Sequence, residues 1–336
     1  MTPPGLPRTT GKSILVVAPN WLGDAVMALP FVRALRRARP GDSLTVLARR
    51  GPAAVFRAEG SADGVWVASG FARDLATLSR SRVDEAWLLP NSFRSALLTF
   101  LARVPKRIGY ATDGRSALLT EALPRPGGTG HQLREYDALL AASDIEPDRD
   151  PPRLPIPPTA EDTARRAFAA AGLPGGAPLV LLAPGAAFGP TKQWPAERFA
   201  ALADKLAERG LLSGIVVGPG EERLGEDISR RARHRPVVLG ADLDPVELAA
   251  LLRRARAVVS NDSGPMHLAA AVGTPVVAFF GPTDPGRTGP IGSPARVLDR
   301  YVFCSPCFLR HCPYGHECME EITPEMALAA VEELLA

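Results

Sequence analysis

The sequence predicts an α/β protein made of two Rossmann-like units in tandem, each with a parallel sheet covered by helices on both faces. Short apolar runs alternate with amphipathic stretches, which is the pattern of strands and helices in parallel sheets. The alternation occurs twice, and the proline-rich stretch DRDPPRLPIPP at 148–158 separates the two series. A chain of 336 residues is long enough for two domains that each bury a core. We therefore expect domains at 1–155 and 156–336.

Five apolar runs predict the strands of the first sheet. The run SILVVA at 13–18 is followed by a turn at 19–23 and by an amphipathic stretch from Asp24 to Arg37. That order is strand, loop, helix. Further strands are predicted at 43–48, 64–67, 84–89 and 106–109, with helical stretches such as 93–103 between them.

The proline-rich stretch predicts a stiff linker, because proline cannot continue a helix or a central strand. Beyond it the alternation resumes. Strands are predicted at 178–183, 211–217, 236–239, 256–260 and 275–280, and helices at 160–171, 195–209, 221–232, 245–254 and 264–272.

Charge and hydropathy exclude several classes of protein. The formal net charge is only +3, so we expect no nucleic-acid partner. The uncharged stretch at 263–283 is interrupted by prolines and glycines and contains His267, which excludes a transmembrane span. The opening MTPPGLPRTTGK lacks the apolar run of a secretory signal, and we expect a cytoplasmic protein.

Candidate ligand-binding residues are expected in the loops after strands, because open parallel sheets bind ligands at the carboxyl ends of their strands. The first such loop is Asn20-Trp21-Leu22-Gly23-Asp24. Gly23 permits a tight turn, and the Asp24 carboxylate faces the positive end of a helix dipole. The same spacing also favours Asp24 as a simple helix N-cap. The loop lacks the GxGxxG pattern of a dinucleotide site.

The second loop, PGAAFGPTKQWP at 184–195, combines small residues with the hydroxyl of Thr191 and the ammonium of Lys192. This combination favours a phosphate cradle, although it is not the Walker pattern GxxxxGK[ST]. The alternative is a structured turn without a ligand.

The third loop, Ser260 to His267, follows a strand and opens a helix. The N–H groups of Ser263 and Gly264 would bind a diphosphate, and Asp262 would accept from ribose hydroxyls. His267 lies one turn into the helix, where a lone histidine is more often structural. Glu222, after the weak glycine motif GPGE, is a candidate for a base or ribose contact.

The four cysteines lie in one short segment with the spacing C-x2-C-x4-C-x5-C: Cys304, Cys307, Cys312 and Cys318. In a cytosolic protein this density favours a structural metal or a redox-sensitive clip over a disulfide framework. The spacing departs from the usual zinc pattern. Structural zinc, disulfides and free thiols remain three alternatives.

Taken together, these loops resemble those of the ADP-heptose lipopolysaccharide heptosyltransferases of glycosyltransferase family 9, most closely the heptosyltransferase II type. The resemblance covers nearly the whole chain. It rests on PNWLGDAVM at 19–27, LPNSFRSAL at 89–97, PGAAFGPTKQWP at 184–195 and NDSGPMHLAAA at 261–271. It implies a GT-B architecture, with two parallel sheets that face each other across a cleft. The cysteine segment is not part of the family's core pattern.

The resemblance further implies an inverting transfer of L-glycero-D-manno-heptose from ADP-heptose to heptosyl-Kdo2-lipid A, the inner core of lipopolysaccharide. No metal cofactor is required by the family, with Mg²⁺ as an optional assistant. Asp24 matches the proposed general base, and Lys192 serves the departing phosphate.

The implied binding residues divide between the two domains. The C-terminal domain would bind the donor through Thr191, Lys192, Glu222, Asp262, Ser263, Gly264 and His267. The N-terminal domain would bind the acceptor through Asn20, Trp21, Asn91, Ser92 and Arg94. We expect a monomer that meets its lipid-linked acceptor at the cytoplasmic face of the inner membrane, as a peripheral protein.

Three competing functions remain. Heptosyltransferases I and III are the nearest, and the segments Phe188-Gly189-Pro190 and Asn91-Ser92-Phe93 favour type II over them. An NAD-dependent or sugar-epimerising enzyme is disfavoured because GxGxxG is absent after the first strand. A sugar-nucleotide-binding protein without catalysis would tolerate the loss of Asp24.

Overall fold

The computed structural model describes residues 11–128, 130–173 and 178–336. The chain divides into two compact units, Met1–Pro152 and Arg153–Ala336. This division lies inside the proline-rich stretch, just before the predicted boundary after residue 155. Arg33 holds the early part of the stretch to the first unit, because its guanidinium donates to Asp148 Oδ2 at 2.7 Å and to the Pro151 carbonyl at 2.9 Å. Leu154 N donates to the Ala271 carbonyl of the second unit at 3.0 Å.

The first unit contains a six-stranded sheet in which every neighbouring pair is parallel. Its strands are β1 (Ser13–Val17), β2 (Ser43–Ala48), β3 (Gly64–Val67), β4 (Glu85–Leu88), β5 (Lys106–Tyr110) and β6 (Glu121–Leu123). They lie in the order β3-β2-β1-β4-β5-β6, which is the strand order of the Rossmann fold. The predicted parallel sheet is confirmed.

Six α-helices accompany this sheet among the residues described: α1 (Leu22–Met27), α2 (Leu29–Ala38), α3 (Arg50–Glu59), α4 (Phe71–Arg80), α5 (Phe93–Leu101) and α6 (Leu133–Ala141). The single helix predicted from Asp24 to Arg37 is in fact the pair α1 and α2. Pro30 near the start of α2 explains the break, since proline has no N–H to continue the hydrogen bonds of α1.

An aromatic cluster joins the helices of the first unit to its sheet. The Phe31 ring of α2 lies 5.5 Å from the Trp87 ring of β4 and 6.5 Å from the Tyr136 ring of α6. Edge-on contacts of this kind add to the stabilisation from burial alone. The indole N–H of the buried Trp87 donates to Glu85 Oε1 at 2.7 Å, so this polar group is satisfied inside the core.

The second unit repeats the architecture of the first. Its strands are β7 (Leu179–Ala183), β8 (Leu212–Val216), β9 (Val237–Leu239), β10 (Ala257–Asn261), β11 (Val276–Phe280) and β12 (Ala295–Asp299). All neighbouring pairs are parallel, in the order β12-β11-β10-β7-β8-β9. Counted from β7, this is the strand order of the first sheet. The sequence prediction of two Rossmann-like units is therefore confirmed.

The helices of the second unit are α7 (Pro158–Ala170), α8 (Ala196–Glu208), α9 (Glu222–Arg231), α10 (Pro245–Arg253), α11 (Gly264–Ala271), α12 (Pro285–Thr288), α13 (Glu317–Glu320) and α14 (Pro324–Leu335). Its core centres on Trp194, Phe199 and Phe279, whose rings lie within 6.0 Å of one another. In the part of the chain that is described, no helix is both long and apolar enough to span a membrane.

The topology marks one position in each sheet where ligands bind. The chain starts with β1 in one sheet and β7 in the other, then adds strands first on one side and later on the other. The switch points are therefore the carboxyl ends of β1 and β4 in the first unit, and of β7 and β10 in the second. In open α/β sheets, ligands bind in the crevice at such points.

Candidate functional site

Asp24 lies on the carboxyl side of β1, at the switch point of the first sheet. The exposed Asn20 and Trp21 lie in the loop before it, and Asp24 itself is in the first turn of α1. Trp21 is the N-cap of α1 and its own side chain makes no capping hydrogen bond, so the prediction that Asp24 is the N-cap residue is wrong. Burial, and secondarily the Asp24 charge, raise the pKa of Tyr136 well above its ordinary value. The general-base role of Asp24 stays a prediction.

The loop after β4 brings Asn91, Ser92 and Arg94 to the other side of the same switch point. Ser92 is the N-cap of α5, and its hydroxyl accepts from Ser95 N at 3.3 Å. The Arg94 guanidinium lies 4.9 Å from the centre of the Phe71 ring. Ser92 thus has a structural role at the start of α5, and its predicted contact with an acceptor is a separate, untested role.

Arg115 organises this loop, although it was not among the residues predicted from the sequence. The buried guanidinium donates to the Tyr110 carbonyl at 2.9 Å and to Ser95 Oγ at 3.1 Å, and it also bonds the Pro90 carbonyl. A weaker contact reaches Asn91 Oδ1 at 3.4 Å. Burial lowers the pKa of Arg115 to about 10. A lone arginine in a polar stretch gives no periodic signal, so only the three-dimensional contacts identify it.

In the second unit, the switch point brings together two of the predicted donor residues. Lys192 Nζ lies 2.5 Å from Asp262 Oδ2, and both side chains are largely removed from solvent. The same carboxylate oxygen accepts from Thr283 Oγ1 at 2.7 Å. A cation that is paired with one carboxylate can exchange that partner for a phosphate oxygen at little cost in desolvation. The predicted ribose contact of Asp262 stays a prediction.

Asn261, the last residue of β10, holds both ends of the 184–195 loop. Its Oδ1 accepts from Trp194 N at 3.0 Å, and its Nδ2 donates to the Pro184 carbonyl at 2.7 Å. The Trp194 indole N–H in turn donates to the Ile322 carbonyl at 2.9 Å. The loop that carries Lys192 is therefore anchored to the end of the central strand, as a preorganised site requires.

Glu221 approaches this loop more closely than the predicted Glu222 does. A Cβ atom added to Gly185 would lie only 2.1 Å from Glu221 Oε2, and that oxygen accepts from Gly218 N at 3.0 Å. Glu222 is exposed at the start of α9, where its own N–H and that of Gly220 lower its pKa. A side chain at position 185 would therefore displace the Glu221 carboxylate from its present place. The donor contact of Glu222 stays a prediction.

Helix α11 starts at this switch point and supplies N–H groups to it. Ser263 is the N-cap without a side-chain capping bond, and Gly264 is the first helical residue. The positive end of the helix dipole and the first N–H groups form a ready anion site. His267 is buried within α11, in keeping with a structural residue. Phosphate binding by Ser263 and Gly264 stays a prediction.

The four cysteines are unpaired thiols. Burial and then the neighbouring Cys307 raise the pKa of Cys304, and burial together with the other three thiols raises that of Cys318 to about 11. Across residues 11–128, 130–173 and 178–336, no three His, Cys, Asp or Glu side chains are arranged to hold a metal ion. The structure thus has free thiols and not disulfides, and zinc stays a prediction.

Comparison with known proteins gives this site a chemical context. Residues 73–317 match the model of the family described as glycosyltransferase family 9 (heptosyltransferase). The chain is 30% identical to lipooligosaccharide heptosyltransferase 2 of Haemophilus influenzae, over 96% of this chain and 99% of that protein. It is 29% identical to lipopolysaccharide heptosyltransferase 2 of Escherichia coli, over 96% of this chain and 98% of that protein.

The solved structures agree with the sequence comparison. The structure of E. coli ADP-heptose lps heptosyltransferase II superposes with a TM-score of 0.82 and 26% identity, covering 96% of this chain and 98% of that one. The family match spans most of the chain, and the likeness to the H. influenzae protein extends over nearly all of it. The chain therefore belongs to glycosyltransferase family 9, the heptosyltransferases, and is a glycosyltransferase.

Proposed function

We propose that this protein transfers L-glycero-D-manno-heptose from ADP-heptose to heptosyl-Kdo2-lipid A, which is the reaction of heptosyltransferase II. The observation that carries the proposal is the buried Lys192–Asp262 pair beside the start of α11, at the switch point of the second sheet. This is the place and the chemistry that a sugar diphosphate needs. The proteins similar to this chain over nearly its full length are named heptosyltransferase 2, which supports the type II assignment.

In the proposed reaction, the Asp24 carboxylate takes the proton of an acceptor hydroxyl as that oxygen attacks the anomeric carbon of heptose. The new glycosidic bond forms as the bond from the anomeric carbon to the phosphate oxygen breaks, and ADP leaves with that electron pair. A single displacement inverts the anomeric configuration. Positioned proton transfer and fixed positive charge at the leaving group are the two contributions that the protein makes.

Lys192 is proposed to stabilise the leaving diphosphate together with the first N–H groups of α11. Asp262 pairs with Lys192, and Thr283 donates a hydrogen bond to the same carboxylate. When a diphosphate enters, its oxygens compete for the ammonium group. Because the turn that carries Lys192 is anchored by Asn261, little reorganisation is needed at the moment of reaction.

Nucleotide selectivity tests the donor half of this proposal. A ligand that binds the native state raises the midpoint of thermal unfolding by mass action. We expect ADP to raise the midpoint more than UDP, GDP or CMP at equal concentration. Equal stabilisation by all four, or preference for UDP, would contradict an ADP-heptose donor and would favour another sugar-nucleotide enzyme.

We further propose that transfer needs no metal cofactor. Lys192 and the start of α11 supply the positive charge that a divalent cation provides in metal-dependent transferases. Transfer measured with excess chelator should match transfer with Mg²⁺ to within about 2-fold, less than the effect of one ordinary hydrogen bond. Zinc at the cysteine segment would be a structural ion only, and one zinc per chain in protein purified without chelator would support it. Four titratable thiols without metal would refute that site.

The proposed acceptor is a lipid, so we propose that the monomeric protein works peripherally at the cytoplasmic face of the inner membrane. Helix α5 supports this proposal, because Phe93, Phe100 and Leu101 are all partly exposed. Exposed Arg94 and Arg103 lie beside them. Apolar side chains flanked by arginine suit the surface of an anionic bilayer.

Co-sedimentation with vesicles tests this membrane contact. We expect the protein to pellet with phosphatidylglycerol vesicles and to be released when Phe100 and Leu101 are both changed to Ser. Leu212→Ser, at a partly exposed leucine of β8, is the matched control. Equal binding by both variants would exclude α5 as the contact.

A further inference from the structure

The cysteine segment, residues 304–318, packs against the loops of the donor switch point. Ser305 Oγ donates to the Gly281 carbonyl at 3.0 Å, and Phe308 N donates to the Pro282 carbonyl at 2.8 Å. These two bonds fix the segment to the loop that follows β11. A Cβ atom at Gly281 would lie 2.8 Å from the Cys318 sulfur, so the contact leaves no room for a side chain.

The same segment also holds the turn that carries Lys192. Thr191 Oγ1 donates to the Leu309 carbonyl at 2.6 Å, and the His316 ring nitrogen Nε2 lies 2.7 Å from the Thr191 carbonyl oxygen. At Gly189, a Cβ atom would lie 3.0 Å from the Arg310 carbonyl oxygen. The turn is thus contacted at its backbone and at its side chains by residues more than a hundred positions later in the chain.

A stacked arrangement reinforces these hydrogen bonds. The Phe188 ring lies 5.0 Å from Lys192 Nζ and 5.3 Å from the Arg310 guanidinium carbon. Two cations on one aromatic ring are each attracted to its electron-rich face. Arg310 therefore adds positive charge near the Lys192 site as well as contact area.

The hydrogen bond from His316 determines which way the peptide group between Thr191 and Lys192 points. A carbonyl oxygen can only accept, so His316 must carry its hydrogen on Nε2. With the Thr191 carbonyl held in this way, Lys192 N donates to the Gly189 carbonyl at 3.2 Å, and the side chain of Lys192 leaves the turn toward Asp262. Asn261 anchors only the two ends of the 184–195 loop, so its middle depends on the cysteine segment.

We propose that the cysteine segment holds the turn that carries Lys192 in place. His316 is a positioning residue that orients Lys192 through the Thr191 carbonyl. The proposal rests on the donor role of Lys192 proposed above. It makes the cysteine segment part of the donor site's support. His316 acts through Lys192 and does not itself contact the sugar nucleotide.

Three variants separate the hydrogen bond from the backbone. His316 has a φ of 63°, a left-handed conformation that suits glycine better than any residue with a side chain. His316→Gly therefore relieves the backbone while it removes the ring, and His316→Gln keeps a donor of similar reach on a less suitable backbone. His311→Ala, at an exposed histidine of the same segment, is the matched control.

Affinity for ADP and for ADP-heptose is the first readout. We expect His316→Gly to weaken ADP binding by about 5-fold to 10-fold, on the scale of one lost hydrogen bond, and to raise the KM of the donor similarly. His316→Gln should bind ADP within about 2-fold of the unmodified protein, less than one hydrogen bond is worth. The KM of the acceptor should be unchanged in every variant. If His316 only stabilised the fold, its loss would not change the ADP affinity and the KM of the donor while leaving the KM of the acceptor unaltered.

Hydrogen exchange of the backbone amides of Gly189 and residues 191–193, measured without nucleotide, is the second readout. We expect faster exchange at this turn in His316→Gly and not in His311→Ala. Unchanged ADP affinity and unchanged exchange in His316→Gly would overturn the proposal that the cysteine segment holds this turn. An equal loss of ADP affinity in His311→Ala would overturn it as well. Failure of the unmodified protein to bind ADP would instead overturn the proposed function, while the exchange measurement would still decide whether the segment holds the turn.

Discussion

At the scale of single residues, Asp24 is expected to act on the acceptor hydroxyl and not on the nucleotide. Asp24→Asn keeps the shape of the side chain but cannot take a proton. We expect transfer to fall by about 100-fold or more, as for other positioned bases, with ADP affinity nearly unchanged. Steady-state rates with saturating donor and acceptor provide the measurement.

Glu146→Gln, at an exposed carboxylate paired with Arg149, is the control for Asp24→Asn and should transfer at the normal rate. Near-normal turnover of Asp24→Asn would remove Asp24 from the mechanism. Loss of ADP affinity in that variant would instead place Asp24 at the donor.

Lys192 is the second residue whose replacement we expect to have a specific effect, in this case on ADP affinity. Lys192→Met retains most of the apolar stem but loses the charge, so Asp262 is left buried without its cation. We expect ADP affinity to fall by roughly 10-fold to 100-fold, on the scale of one charge-assisted hydrogen bond of about 1.5–3 kcal/mol. Titration calorimetry with ADP measures this directly.

Lys205→Met is the matched control, because Lys205 pairs with Glu325 on α14, at the protein surface. Its loss should leave ADP affinity unaltered. If Lys192→Met binds ADP as tightly as Lys205→Met does, the 184–195 loop is only a structured turn.

Arg115 gives a prediction about stability. Arg115→Met would remove the buried donor of the Pro90 carbonyl, at about 1–3 kcal/mol for an unsatisfied group, whereas the Tyr110 carbonyl would keep the N–H of Thr112. We expect a lower urea midpoint of unfolding. Arg166→Met, at an exposed arginine of α7 that donates to Thr163, should leave the midpoint unchanged and serves as the control. An equal midpoint in both variants would show that the Arg115 contacts contribute nothing to stability.

At the scale of elements, the end of the first unit is held by an ion pair between α2 and the proline-rich stretch. Burial alone would raise the pKa of Asp148, but the hydrogen bond from Arg33 and the N–H of Asp150 outweigh burial, so the pKa is lowered from 3.8. A carboxyl whose folded-state pKa is depressed stabilises the fold above its unfolded-state pKa. This stabilisation is lost as the pH falls through the folded-state value.

Asp148→Asn should therefore be less stable than the unmodified protein at pH 7. The difference in urea midpoint should begin to shrink as the pH drops below about 4, where the carboxyl of the unfolded chain becomes protonated, and should vanish below the lower pKa of the folded state. A difference that stays constant from pH 7 to pH 3 would show that the charge of Asp148 is not what holds the stretch.

The elements also show where sequence patterns are informative. Strands β1, β2, β7 and β11 are apolar and buried throughout or nearly so, and their predicted ranges agree with the structure within about two residues. Strand β12 was not predicted, because it contains Arg296 and Asp299 and lies half-exposed at the edge of its sheet. An edge strand lacks the apolar run on which the prediction depends.

The candidate site was predictable only in part, for a related reason. The loops at 184–195 and 261–267 follow apolar strands, so their position was evident, and the structure pairs Lys192 with Asp262. Glu221, Arg115 and the contact of His316 with Thr191 depend on approach between distant parts of the chain. No local pattern contains that information.

At the scale of the whole molecule, the two units share one strand order, and each has its candidate residues at the equivalent switch point. The alternation of strands and helices predicted parallel sheets, whereas the order of pairing is a non-local property that only the structure supplies. In the proposed mechanism, the carboxylate of the first unit activates the acceptor, and the cation and helix start of the second unit stabilise the leaving group.

The most direct test of this account is transfer measured with defined substrates. Purified protein should move one heptose from ADP-heptose to heptosyl-Kdo2-lipid A, release one ADP for each product, and give a linkage whose anomeric configuration is opposite to that of the donor. Kdo2-lipid A without the first heptose should be a poor acceptor. Transfer to Kdo2-lipid A in preference to its heptosylated form, or equal transfer from UDP-sugars, would contradict the assignment of this chain as a type II heptosyltransferase.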